Sequence, residues 1–132
     1  MMEPFKLEFL VRDYECDLQG IVNNANYQHY LEHARHVYVD GLGINFAELH
    51  QQGIDLVVAK IEMSFKTPLK SKDQFYVSVD MKKEGIKWVF TQEIRRIPDN
   101  KVVVKAKVDT VAIVQGKLSD YQPLEEAFNK HL

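Results

Sequence analysis

Between residues 54 and 115, apolar side chains return at every second position, with only short turns between the runs. Alternation of this kind places the apolar groups of a strand on one face, so the chain must build an extended sheet. Upstream of it lies a single stretch with helical periodicity, and that one helix has to cover the apolar face.

The strands can be placed individually. Residues 54–66 (IDLVVAKIEMSFK) predict a strand with Val57, Ala59, Ile61, Met63 and Phe65 on one face. Thr67-Pro68 stops it, because proline cannot donate to a ladder. Residues 74–83 alternate Phe75, Val77, Val79 and Met81 against Tyr76, Ser78, Asp80 and Lys82, and Glu84-Gly85 turns the chain. A strand over 86–97 ends at the turn residues Pro98-Asp99-Asn100. The longest strand covers 101–115, with Val102, Val104, Ala106, Val108, Thr110, Ala112 and Val114 in one register. Near the start, residues 5–12 form one more strand through Phe5, Leu7, Phe9 and Val11.

The helix is marked by Tyr27, Tyr30, Leu31, Ala34, Val37 and Tyr38, which follow i, i+3, i+4 spacing. Asn23 or Asn24 can accept from its first free N–H groups, and Gly41 or Gly43 ends it. Its tyrosines suit a helix covered by a sheet, with hydroxyls reaching polar partners. Short helical pieces are predicted over 45–51 and over the terminal PLEEAFNKHL. These elements predict an α+β chain: an antiparallel sheet of about five strands wrapped around one long helix. One helix covers only one face, so a homo-oligomer is expected, a homodimer or homotetramer.

Length and composition remove other classes. A chain of 132 residues suits one domain over 1–132, and its 45% hydrophobic and 27% charged residues are ordinary for a globular protein. No apolar run approaches the roughly 18 residues of a membrane span, so no membrane partner is expected. The opening MMEPFKLEFL lacks the basic start and long apolar core of a secretion signal. A single cysteine and the lack of zinc-ligand spacing predict a reducing, cytoplasmic setting. The net charge of −2 hides a basic stretch over 60–107, with twelve Lys/Arg against six Asp/Glu. That stretch permits a phosphorylated ligand, while the whole is too balanced for nucleic acid.

The polar residues concentrate between the first strand and the helix, in Asp13-Tyr14-Glu15-Cys16-Asp17-Leu18-Gln19-Gly20-Ile21-Val22-Asn23-Asn24-Ala25-Asn26-Tyr27. A helix start offers unpaired N–H groups and a partial positive charge, which suit a carbonyl oxygen gaining negative charge. A carboxylate just upstream can reach the carbonyl carbon or a water beside it. Asp17 is the best placed acid, with Asp13 and Glu15 as competitors, and Gly20 lets the backbone turn between acid and helix. The plain alternative is that Asp17 only caps the loop.

The pattern Asp17, Gly20, Val22, Asn26, Tyr27, Tyr30, Glu32, Ala34 and Arg35 resembles the hotdog-fold acyl-CoA thioesterases, nearest to the 4-hydroxybenzoyl-CoA thioesterase and YbgC-like group. Phe65, Pro68 and Asp73 are similar to that family's exit from its second strand. The resemblance implies the hotdog fold and hydrolysis of an acyl-CoA substrate to free acid and CoA, with no metal or redox cofactor. It makes Asp17 the nucleophile or the base for water. It makes the backbone N–H near Asn24, helped by Ala25, the oxyanion site, with Val22, Asn23, Asn26 and Tyr27 lining the substrate site. It also implies completion of each site at a subunit interface, with Ser64 or Thr67 of the partner's strand 54–66 contributing. A thiol of pKa about 8.5 leaves as thiolate with little acid help, so no histidine partner is needed.

Where many YbgC-like sequences carry a Tyr-His pair, this chain has Asn23-Asn24, and its Val-Asn-Asn-Ala stretch is more similar to the long-chain acyl-CoA thioesterase branch. Two further readings remain: a thioesterase acting on acyl carrier protein, and a non-catalytic acyl-thioester binding protein. A hotdog dehydratase is disfavoured, because the residue five after Asp17 is Val22 rather than histidine.

Other groups carry weaker signals. His29, His33 and His36 lie at helical spacing but lack a further metal ligand, and predict a solvated face. Cys16 lacks the positive partner that makes a thiolate. Glu32 and Arg35 can pair along the helix. Trp88 and Phe90 read as sheet core. Lys60, Lys66, Lys70, Arg95, Arg96 and Lys105 are candidates for the coenzyme A phosphates, and spacing does not choose among them.

Overall fold

In the computed structural model, which describes residues 5–129, the strands form one antiparallel sheet. They are β1 (Phe5–Leu10), β2 (Ile54–Phe65), β3 (Gln74–Glu84), β4 (Lys87–Ile97), β5 (Val102–Val114) and β6 (Lys117–Ser119). The helices are α1 (Asn24–Gly41), α2 (Phe46–Gln51) and α3 (Gln122–Asn129). Residues 1–4, within the expected leaderless start, and 130–132, the end of the expected terminal helix, lie outside the described residues.

The strand order is β1-β3-β4-β5-β2, with β6 pairing the end of β5. Tight turns set the registers. Glu84 faces Lys87 across a two-residue loop in which Gly85 has φ +63°, a conformation that costs glycine nothing. The sheet curls around α1. Its inner face carries Phe75, Val77, Val79, Met81, Trp88, Phe90, Ile94, Val104 and Val108, and α1 meets it with Tyr27, Tyr30, Leu31, Ala34 and Val39, all buried. Each large apolar side chain withdrawn from water this way contributes about 1.5–3 kcal/mol.

The structure corrects the predicted face of β2. The ladder with β5 shifts between Val58 and Lys60, a bulge that takes Ala59 out of pairing. An extra residue reverses side-chain parity. The inner face is therefore Ile54, Leu56 and Val58 before the bulge and Ile61, Met63 and Phe65 after it, opposite Val114, Ala112, Thr110, Val108, Ala106 and Val104. Val57 falls on the outer face.

Helix α1 packs against β1, β3 and β4. Inner-face residues of the edge strand β2 are left partly uncovered: Val58 is 48% exposed and Phe65 52%.

Candidate active site

A small hairpin joins β1 to α1. Cys16 bridges Val22, the Asp17 N–H donates to the Ile21 carbonyl at 2.9 Å, and the Gly20 N–H donates to the Asp17 carbonyl at 3.0 Å. Gly20 has φ +82°, and a Cβ there would meet nothing within 4 Å. Backbone conformation, not space, therefore selects glycine.

This hairpin is fastened to the helix start. The Glu15 carbonyl accepts from the Asn23 N–H at 3.0 Å and from Asn26 Nδ2 at 2.8 Å. Asn23 is the N-cap, and its side-chain oxygen accepts from the Ala25 N–H at 3.0 Å, while its carbonyl accepts from the Asn26 N–H at 2.9 Å. The Asn24 N–H is thus the first-turn amide left without an acceptor among the described residues. The expected helper, the Ala25 N–H, is occupied by the cap.

A cleft of about 160 Å³ opens at this tip, lined by Ile21, Val22, Asn24, Tyr27, Phe65, Lys66, Thr67 and Pro68. Its outer wall is the β2–β3 connection, which is anchored at several points. The Lys66 N–H donates to the Val103 carbonyl at 2.8 Å, the Leu69 N–H to the Tyr27 hydroxyl at 3.0 Å, and the Val22 N–H to the Leu69 carbonyl at 2.8 Å. Burial pushes the Tyr27 phenol above the usual tyrosine range, so it stays neutral and can accept that bond.

Several of the expected site residues meet here. Val22, Asn24, Tyr27 and Thr67 line the cleft, and Asn23, Ala25 and Asn26 shape the helix start. Asp17 stands on the exposed side of the hairpin, opposite Ile21; its Oδ1 accepts from the Gln19 N–H at 2.8 Å, and its carboxylate is not part of the cleft wall within one chain. Ser64 sits on the outer face, opposite Lys105.

Competing residues have other tasks. Asp13 accepts from Ser71 Oγ, and the Glu15 carboxylate accepts from the Arg12 N–H at 2.8 Å. The buried Tyr30 hydroxyl lies beside Glu15; burial first, then that carboxylate, raises its pKa. Burial, followed by the carboxylates of Asp13, Asp17 and Glu15, pushes the Cys16 thiol up, which disfavours the thiolate a nucleophile needs. His33 packs edge-on against Phe9, and His36 leans on Phe46. No cluster of three His, Cys, Asp or Glu that could hold a metal occurs among the described residues.

The expected Glu32–Arg35 pair is replaced by a longer-range contact. Arg35, 6% exposed, turns inward and donates to Gln92 Oε1 at 3.1 Å, while Gln92 Nε2 donates to the Leu31 carbonyl at 3.0 Å. Spacing along the chain does not mark Leu69 or Gln92 as site residues. Gln92 did leave a trace, as the polar position in the apolar register Trp88, Phe90, Ile94.

Comparison with known proteins bears on this arrangement. A solved structure, a hypothetical protein from Aquifex aeolicus, superposes with a TM-score of 0.86 at 26% identity, covering 94% of this chain and 98% of that one. The sheet wrapped on one long helix is the hotdog fold. Residues 11–132 match the thioesterase-like superfamily, and the chain belongs to that family. Among its relatives is the chloroplastic acyl-acyl carrier protein thioesterase ATL3 of Arabidopsis thaliana, 35% identical over 81% of this chain and 57% of that protein. Another is the long-chain acyl-CoA thioesterase FadM of Escherichia coli, 30% identical over 78% of each. The chain spans little more than half the length of the plant relatives it matches.

Proposed function

We propose that the protein hydrolyses an acyl thioester of coenzyme A to the free acid and CoA, with the carbonyl oxygen held at the Asn24 N–H. The observation that carries this reading is the free first-turn amide of Asn24, a residue that lines a mostly apolar cleft, with the Asp17 hairpin fastened to the same turn through Glu15. The partial positive charge at the helix start stabilises the oxyanion as the carbonyl is attacked. Asp17 keeps one carboxylate oxygen beyond its turn bond, which serves either to attack the carbonyl carbon or to take a proton from water. The C–S bond then breaks and sulfur leaves as thiolate; where Asp17 is the nucleophile, water next hydrolyses the acyl–Asp17 anhydride to release the acid, and neither route requires a metal or a redox cofactor. Val22, Tyr27 and Phe65 supply apolar wall for the acyl group.

A second copy of the chain completes the site in this reading. Exposure of the inner-face residues Val58 and Phe65 in one chain supports it, since a partner packed along edge strand β2 would enclose them. Thr67, on the cleft wall of its own chain, is better placed than the outer-face Ser64 to line the acyl site. The single cysteine agrees with a reducing, cytoplasmic setting.

The likeness to ATL3 favours one second reading, in which the thioester is carried on acyl carrier protein. Thiol release from short, long and aromatic acyl-CoAs, set beside acyl carrier protein thioesters, separates the two. Asp17→Asn should abolish release while the melting temperature stays near wild type. Full activity in that variant overturns the assignment.

A further inference from the structure

The basic stretch over residues 60–107 resolves, in three dimensions, into cations that are engaged and five without an ion pair among the described residues, of which Lys101 and Lys107 stand apart at either end of β5's first half and three cluster. Lys60 pairs with Glu62 at 2.8 Å, Arg95 with Glu93 at 2.8 Å, and Arg96 with Asp99 at 2.6 Å, while Lys105 lies 4.0 Å from Glu93. Lys66, Lys70 and Lys72 have no ion-pair partner among the described residues, and all three are exposed. They share the short connection between β2 and β3. Lys66 lines the cleft itself, and Lys70 bridges Ile21 on the opposite wall.

This connection is held still. Leu69 in its middle is fully buried, the Lys72 N–H donates to the Val11 carbonyl at 3.0 Å, and the Lys70 N–H donates to Asp73 Oδ2 at 2.9 Å. The nearby acids are already in use, Asp73 by that bond and Asp13 by Ser71 Oγ. Lys66 thus lines the cleft, and the exposed Lys70 and Lys72 follow within six residues on the same anchored connection, where an anion is attracted without displacing an ion-pair partner.

We propose that Lys66, Lys70 and Lys72 bind the phosphate end of a phosphopantetheine thioester whose acyl end lies at Asn24. The placement of the acyl end rests on the thioesterase reading; the phosphate site does not. The shared chemistry is a phosphate on a pantetheine arm, present both in coenzyme A and in the prosthetic group of a carrier protein.

The test is direct binding by calorimetry of coenzyme A, 4′-phosphopantetheine and unphosphorylated pantetheine. It compares wild-type protein with a combined Lys66→Ala, Lys70→Ala, Lys72→Asn variant. Asn is chosen at position 72 because the backbone there has φ +72°. Wild type should bind coenzyme A about tenfold or more tightly than pantetheine, and the variant should lose that advantage. Lys107→Ala, on the outer face of β5, should keep it. Equal loss for 4′-phosphopantetheine supports the assignment to the pantetheine-arm phosphate that a carrier protein also presents; loss for coenzyme A alone places the lysines on the other nucleotide phosphates and overturns it. Unchanged coenzyme A affinity in the variant, or no preference over pantetheine in wild type, overturns the proposal. Lysine-dependent binding without thioester hydrolysis leaves the phosphate site standing and removes the thioesterase reading. Hydrolysis with lysine-independent binding does the reverse.

Discussion

Single residues at the hairpin show how little chemistry one side chain has to provide. Cys16 sits next to Asp17, yet its surroundings hold the thiol protonated: burial first, then three neighbouring carboxylates. A raised thiol pKa means that the reactive thiolate forms only as pH climbs beyond the ordinary cysteine range. Alkylation of Cys16 by iodoacetamide should accordingly be slow at neutral pH, with a rate midpoint above that of a free cysteine peptide. A midpoint at or below the peptide's would show a positive field at the site and reopen Cys16 as a nucleophile. Asn23 and Asn26 illustrate a different economy. In the fold one caps the helix and the other clamps the Glu15 carbonyl. The sequence marked both positions as important through their place at a helix start. The resemblance points to a place for both in the substrate site; their scaffold bonds were not legible, because spacing along the chain does not reveal the partner of an amide side chain.

At the scale of elements, the β2–β3 connection and α1 are joined by one buried bond, from the Leu69 N–H to the Tyr27 hydroxyl. Tyr27→Phe keeps the ring and its contact with Phe65 but leaves a buried N–H without an acceptor. Such a loss costs about 1–3 kcal/mol. Urea unfolding should report a destabilisation of that order, together with reduced turnover because the cleft wall loosens; an unchanged midpoint would mean that water replaces the hydroxyl. The strands and the main helix were readable from periodicity, and their turns from Gly85 and the Pro98-Asp99-Asn100 run. The bulge at Ala59 was not. A bulge substitutes one period-two pattern for another of opposite parity, and the apolar run Leu56-Val57-Val58-Ala59 fits both registers equally. Only pairing with β5 distinguishes them. The Arg35–Gln92 contact escaped for a related reason: helix spacing offered Glu32 as the near partner, whereas burial turned the guanidinium toward β4.

For the whole molecule, the decisive feature is that α1 is shared unevenly across the sheet. It covers β1, β3 and β4, and the inner face of edge strand β2 remains partly open at Val58 and Phe65. In the proposed oligomer this opening is filled by a second copy. A charge placed there should be costly to bury. Phe65→Asp is therefore expected to shift the protein toward monomer in size-exclusion chromatography with light scattering, and to lower thioester hydrolysis with it. A monomeric wild type with full activity would remove the partner from the site. The sequence by itself determined the number and order of the long strands, the single covering helix and the polar junction where the helix begins, because periodicity and capping are local properties of the chain. Only the tertiary structure decided which lysines lack partners and which way β2 faces. Those depend on groups far apart in the chain, such as Val58 with Thr110, coming together in the folded protein.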